Sequence, residues 1–249
     1  MHIALALLSG AVIGIVLGFV GAGGALLSVP ILLYLFDFSP NHATTAALAV
    51  VFLAAAFGTI PKFRNKDVLI RDALAIWGIG LITNIGASAI SKHLPGNLIV
   101  TGFSLVLFLA GGLMLQKPIT SHPQRRMPFA ALIVISLFIG AMTGLFGVGG
   151  GFLAIPVLVL FFHTPHNKAA GTSLAIIALN SLTAFLAHHS TWPEINWGIP
   201  IAMASAAIIV ATTASHYSGR MPAPKLRRYF AFLLFAVATY SLLKTWVLA

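Results

Sequence analysis

The chain contains no cysteine and only four acidic residues among 249. The missing thiols exclude disulfides, cysteine nucleophiles and thiolate metal sites, and leave the redox compartment open. No acidic residue lies deep in an apolar stretch. Asp37 and Glu194 fall between stretches, so neither paired-carboxylate catalysis nor a buried carboxylate proton relay has support. Charge of both signs is scarce: 7% of residues are charged, against about 25% in soluble domains. Eighteen charged side chains (14 basic plus 4 acidic) cannot coat a water-facing surface of this size. The nucleotide-binding motifs are missing too: Leu26 stands where a third glycine of a dinucleotide fingerprint would be, and no Gly-Lys-Ser/Thr occurs. No Ser-His-Asp arrangement, low-complexity tract, long linker or soluble domain is evident. The first twenty residues lack a basic n-region, so a cleaved signal peptide is not expected.

What is present is apolar. Hydrophobic residues make up 59% of the chain, and mean hydropathy is +1.01. Ten apolar segments stand at roughly 3–20, 25–36, 42–60, 73–91, 97–116, 129–146, 151–162, 169–188, 197–216 and 229–248. They are continuous rather than alternating, which argues against a membrane barrel. A helix satisfies its own backbone where no water is available, and about 20 residues span a hydrocarbon core of about 30 Å. The expected fold is all-α: a polytopic transmembrane helical bundle of two inverted repeats with glycine-broken helices.

The duplication is direct. Residues 18–49 recur 126 positions later with 12 of 32 identities, including Gly18, Gly21, Gly23, Gly24 and Pro30, matched by Gly144, Gly147, Gly149, Gly150 and Pro156. Basic residues choose among topologies. If all ten segments cross, twelve Lys and Arg fall on one side and only Lys92 and Lys244 on the other. Fusing each short segment with its predecessor gives eight crossings and a split of eight to six. Re-entrant hairpins would give six crossings with the parity of ten. The positive-inside rule therefore disfavours eight and places both termini outside a cytoplasmic membrane. An odd number of crossings per half inverts the repeats. The expected organisation is a first repeat over 1–116, a cytoplasmic linker over 117–128 and a second, inverted repeat over 129–249. The net charge of +10 is read as this orientation signal, not as a nucleic-acid surface.

Interrupted helices in duplicated membrane halves point to a transporter's substrate site. The breaks Gly21, Gly23, Gly24 and Gly147, Gly149, Gly150, Gly151 are therefore the first site candidates. A helix restarting at Ala25 or Gly151 would turn free N–H groups and a positive dipole end toward an anion; the plainer use of such glycines is tight helix crossing. Thr44 and Thr45, aligned near Thr172 and Ser173, open the following segment, where hydroxyls either cap a helix or meet a ligand. Asn180, followed by Ser181, sits deeper and needs a partner in an apolar setting; Asn84 is a similar case. Gly10, Gly14 and Gly18, and Ser136, Gly140 and Gly144, are spaced for close helix packing between the halves. Nine histidines, with His163 near His166 and His188 beside His189, raise a metal reading. Their placement at segment ends and the lack of oxygen or sulfur ligands count against it. No Lys or Arg is evident within a span, so anion charge would be compensated by helix ends.

The second copy, from Gly144 to Pro156 and from Lys168 to Leu174, resembles the sulfite exporter TauE/SafE permeases. The duplication extends the likeness over nearly the whole chain. The first copy departs from the pattern, with Ala25 for the third glycine and Thr44-Thr45-Ala46 for Gly-Thr-Ser. The resemblance implies an inner-membrane permease for small anions such as sulfite or organosulfonates, sulfoacetate among them. The expected function is alternating-access anion transport, with substrate held near the midplane between the two breaks and no cofactor. The expected partners are a small anion and the lipid bilayer, with a homo-oligomer left open. The competing readings are a divalent-metal permease and an integral membrane enzyme or assembly factor; the latter lacks a convergent catalytic group.

Overall fold

A computed structural model of the chain describes the backbone of residues 2–91, 93–115, 128–147, 149, 151–160, 164–218 and 223–247. The described residues form ten α-helices: α1 (His2–Val20), α2 (Gly24–Leu35), α3 (Pro40–Arg64), α4 (Ile70–Ser91), α5 (Gly96–Leu115), α6 (Phe129–Phe146), α7 (Gly151–Leu160), α8 (His166–Ala187), α9 (Gly198–Tyr217) and α10 (Ala223–Trp246). A 3-10 segment, His189–Glu194, joins α8 to α9. Each helix occupies one apolar segment of the sequence, and no described residue is in a strand. Among the described residues, seven helices are long and apolar enough to cross a membrane. Ile3, Leu8, Ile82, Phe129, Val134, Ile201 and Ile209 are 63–78% exposed, an outward apolar coat that water would not tolerate but hydrocarbon would. The chain is a polytopic helical membrane bundle.

Two helices start earlier than their apolar patterns. Pro40 occupies the first turn of α3, and Ser39 Oγ accepts the His42 backbone N–H at 3.4 Å, the residue pair that favours a helix start. α8 begins at His166, directly after Pro165. Thr44, Thr45, Thr172 and Ser173 therefore lie more than a turn inside their helices and cap neither, which corrects the capping expectation.

Small residues set the packing. On α1, a methyl on Gly10 would strike the Met203 carbonyl, one on Gly14 would stand 2.8 Å from the Ala207 carbonyl, and one on Gly18 would stand 2.7 Å from the Ala211 carbonyl, all on α9. On α6, Gly140 meets the Gly80 carbonyl and Gly144 the Asn84 carbonyl, both on α4. The contacts correspond pairwise: Gly18 faces Ala211, Ala214 and Ser215, while Gly144 faces Asn84, Ala87 and Ser88, each 127 positions earlier. With no side chain between them the backbones approach closely, the usual basis of helix association in lipid.

Helix directions follow from these contacts. α1 runs parallel to α9, and α6 to α4. α3 and α8 are antiparallel: Thr45 meets His188 at one end, and Lys62 lies against Gly171 at the other. These ends define two faces of the bundle, the His188 face and the Lys62 face. α2 and α7 have 12 and 10 residues, or about 18 and 15 Å at 1.5 Å per residue. Neither spans about 30 Å alone.

Candidate functional site

Gly21, Gly23, Gly147 and Gly149 all hold a left-handed backbone, with φ of 75, 88, 70 and 70°. The two breaks thus share one conformation at positions 126 apart, open to glycine at no steric cost. The Gly21 N–H donates to the Leu17 carbonyl and the Gly147 N–H to the Thr143 carbonyl, each at 2.9 Å. Both amides close the preceding helix and are not free for a ligand, contrary to the sequence expectation for these two positions. Gly24 packs on the Ile13 carbonyl and Leu17, so α2 folds back along α1. Gly150 lies outside the described residues.

The surroundings of the breaks differ. At the second break, a methyl on Gly147 would stand 2.9 Å from Thr44 Cγ2, and one on Gly149 would stand 2.9 Å from Ser181 Oγ and 2.8 Å from Ile177. The Gly151 carbonyl accepts from Ser173 Oγ at 2.7 Å. Beside Gly144, Asn84 Nδ2 donates to the Asn180 carbonyl at 3.0 Å and to its Oδ1 at 3.1 Å. Among the described residues, this leaves Thr44 Oγ1, Asn84 Oδ1, Ser88 Oγ, Asn180 Nδ2 and Ser181 Oγ buried without a hydrogen-bond partner. Burying such a group unpaired costs about 1–3 kcal/mol, so five together are a large unmet demand. At the first break, Gly21 packs against Ala170. The residues 126 positions before Asn180 and Ser181 are Ala54 and Ala55, both fully buried. Asn84 itself corresponds to Ala211, 127 positions later. Alanine stands wherever the second break carries a polar group, except at Ser215, whose Oγ donates to the Gly58 carbonyl at 2.7 Å.

The predicted hydroxyls therefore separate. Thr44 joins the second break. Ser173 braces the start of α7. Thr172 Oγ1 donates to the Lys168 carbonyl and accepts the Leu69 N–H at 2.9 Å, fixing the start of α4. Thr45 donates to the Asn41 carbonyl at 2.9 Å and meets His188 Nδ1 at 3.0 Å. Gly21, Gly23 and Gly24 are not joined to this polar group by any described contact.

Three residues emerge only from the folded chain. Lys62 was assigned to a basic loop; α3 continues through it, its side chain is 3% exposed, and Nζ bonds Ser218 Oγ at 2.5 Å. The expectation of no embedded cation is corrected accordingly. Ser88 and Ser91 continue the face of Asn84 along α4, spaced four and seven residues on. That spacing was the available signal, but which neighbour the face meets depends on tertiary packing.

Known proteins agree with the reading of a membrane bundle. A family model described as sulfite exporter TauE/SafE matches residues 6–241. A protein named probable membrane transporter protein from Xylella fastidiosa is 27% identical over 246 residues, covering 96% of this chain and 94% of its own. The Bacillus subtilis protein named probable membrane transporter protein YunE is 28% identical over 221 residues, covering 78% of this chain and 80% of its own. The chain is a membrane transporter and belongs to the sulfite exporter TauE/SafE family.

Proposed function

We propose that the chain moves small oxyanions, sulfite or organosulfonates such as sulfoacetate, across the cytoplasmic membrane, and that it binds them at the second break. The reading rests on the five polar atoms beside the second break that lack a partner among the described residues: those of Thr44 and Ser181 at Gly147 and Gly149, and those of Asn84 and Ser88 at Gly144 with Asn180 bonded to Asn84. Four of them belong to donor groups: the hydroxyls of Thr44, Ser88 and Ser181 and the Asn180 amide. An oxyanion offers several acceptor oxygens to such a set. The start of α7 at Gly151 adds the positive end of a helix. Among the described residues no formal charge touches the group, so binding is weak enough to allow release, as transport demands.

The two copies of the repeat are arranged, in this reading, as inverted halves over 1–116 and 129–249, joined by a cytoplasmic linker, with both termini outside. The antiparallel course of α3 and α8 supports it. So does the distribution of basic residues: Lys62, Arg64, Lys66, Arg71 and Lys168 lie toward one face, whereas Lys244 lies over the Tyr34 ring toward the other. Rocking of one half against the other then exposes the second break to each side in turn. A chemical step has no role in this scheme, and the protein acts as a carrier rather than an enzyme.

Uptake into proteoliposomes tests the reading. Radiolabelled sulfoacetate or sulfite is expected to enter, and excess sulfate or unlabelled sulfoacetate reports the selectivity. Uptake of nickel or cobalt without either anion would replace the reading with a metal permease.

A further inference from the structure

Asn84 of α4 and Asn180 of α8 are fully buried and bonded to each other. What each amide faces fixes its orientation. The Asn180 backbone carbonyl has no proton to give, so the Asn84 atom 3.0 Å from it is the nitrogen, Nδ2. The same nitrogen lies 3.1 Å from the Asn180 side chain, which therefore presents its oxygen, Oδ1. Turning Asn84 over would set its oxygen against the backbone carbonyl. Turning Asn180 over would set nitrogen against nitrogen. An amide nitrogen carries two protons, and both of those on Asn84 are placed. Two groups are left over with fixed characters: Asn180 Nδ2 can only donate, and Asn84 Oδ1 can only accept. Neither has a partner among the described residues.

The nearby hydroxyls do not answer that oxygen. Ser88 stands one turn along α4 from Asn84, is fully buried, and its Oγ makes no bond to Oδ1. Thr83 Oγ1 is turned to the carbonyls of Gly80 and Leu137. Thr44 Oγ1 and Ser181 Oγ lack a partner among the described residues as well. A hydroxyl rotates to donate or accept as a ligand requires, and any oxyanion satisfies the Asn180 N–H. Of the five polar atoms, the Asn84 oxygen alone asks something particular of a ligand: a hydrogen-bond donor.

The repeat shows that the frame does without this oxygen. The residue 127 positions after Asn84 is Ala211, and the residue 126 positions before Asn180 is Ala54, both fully buried. α9 still packs on α3 there: Ala211 lies against Gly58, and Ser215 Oγ donates to the Gly58 carbonyl. The corresponding helix pair is thus built with alanine at both places. Charge points the same way. The start of α7 offers about half a unit of positive charge, and among the described residues no cation touches the group. Such a setting matches one negative charge better than two.

We infer that Asn84 determines specificity by accepting a hydrogen bond from the transported anion itself. The site then prefers an oxyanion that carries its own O–H or N–H donor over one that offers acceptors alone. This rests on the anion reading above and narrows it. Protonated sulfite and hydroxylated or aminated alkanesulfonates qualify. Sulfite as the dianion, and sulfoacetate with both acid groups ionised, bring no donor to Oδ1 and are the poorer ligands. In the bound state the anion oxygens take the Asn180 N–H and the hydroxyls of Thr44, Ser88 and Ser181, and the anion's own donor closes the set on Asn84.

The probes are 2-hydroxyethanesulfonate and ethanesulfonate, two monoanions that differ by one hydroxyl. Titration calorimetry on purified full-length protein in nanodiscs reads both affinities. The hydroxylated anion is expected to bind wild type about tenfold more tightly, the scale of one buried hydrogen bond. In Asn84→Ala the ratio should fall to about one. The double variant N84A/N180A installs the alanines of the other half, leaves neither amide without its partner, and should also bring the ratio to about one. Melting temperatures establish that the variants are folded, and the wild-type comparison depends on neither. Equal affinities in wild type, or a tenfold preference that survives in folded N84A/N180A, overturns the inference. If both sulfonates bind wild type equally, the anion reading stands and only the selectivity falls. If neither sulfonate nor sulfite binds at all, the anion reading fails and the inference falls with it.

Discussion

The two glycine breaks have the same backbone and opposite chemistry. Gly21 and Gly147 close their helices with the same bond, and Gly23 and Gly149 share the same left-handed turn. Beside the first break stand Ala170 and Ala211, and the buried Ala54 and Ala55 occupy the positions equivalent to Asn180 and Ser181; beside the second stand Thr44, Asn84, Ser181 and the Asn180 bonded to Asn84. A duplicated frame has kept its architecture in both copies and its polar groups in one. Backbone shape is thus a property of the fold, and the ligand site is a property of the side chains brought against it. On the reading proposed above, the second break carries a single asymmetric site, whereas the sequence suggested a cradle shared between both breaks.

Substitutions can break this comparison. The largest effect is expected from Gly149→Leu. Its Cβ would stand 2.8 Å from Ile177 and 2.9 Å from Ser181 at φ 70°, a conformation that costs an L-residue about 1–2 kcal/mol before any clash. Transport should be lost while the protein still reaches the membrane, as read by uptake and by surface labelling. Second comes the exchange of polar groups. The double variant N180A/S181A gives the second break the first break's residues and should lower anion affinity at least about tenfold, the scale of one lost hydrogen bond to a charged group. The reciprocal A54N/A55S should create no second site and should destabilise a packed core by about 1–3 kcal/mol, visible as a lower melting temperature with anion affinity retained.

Third, Gly21→Ala would set a methyl 2.6 Å from the Ala170 methyl at φ 75°. It should cost stability without changing which anion is preferred, separating the structural break from the binding one. The smallest effect belongs to Gly78→Ala on α4, where an added methyl meets nothing within 4 Å. It should be neutral or stabilise by up to about 1 kcal/mol through helix propensity, in contrast to Gly140→Ala two helices away, whose methyl would strike the Gly80 carbonyl. Thermal denaturation of the two variants reads the difference.

Much of this was legible in the chain itself. All ten helices coincide with continuous apolar runs, and the glycine stripes of α1 and α6 pack one half of the sequence on the other, as their spacing implies. The helix starts were read too late at α3 and α8 because Pro40 and His166 look like loop residues, whereas proline suits a first helical turn. That shift moved Thr45 and Thr172 inward and turned them to other work: one holds His188, the other the start of α4. Lys62 was read as loop because a lysine ends most apolar patterns; the buried serine that receives it comes from α9 and has no local signature. The contrast between breaks was available in the 126-residue alignment, where Asn180 and Ser181 face Ala54 and Ala55. The pairing of Asn84 with Asn180 was not, because it requires α4 to lie beside α8.

The most direct test is ligand-induced stabilisation of purified protein by sulfite and sulfoacetate, measured in parallel on wild type, N180A/S181A and Gly21→Ala. A ligand that binds only the folded state at about 100 times its Kd stabilises by about 2.7 kcal/mol. The account predicts this gain in wild type and in Gly21→Ala and its loss in N180A/S181A. Stabilisation that persists in N180A/S181A, or that vanishes in Gly21→Ala while the variant remains folded, would place the anion elsewhere and contradict the assignment of the second break.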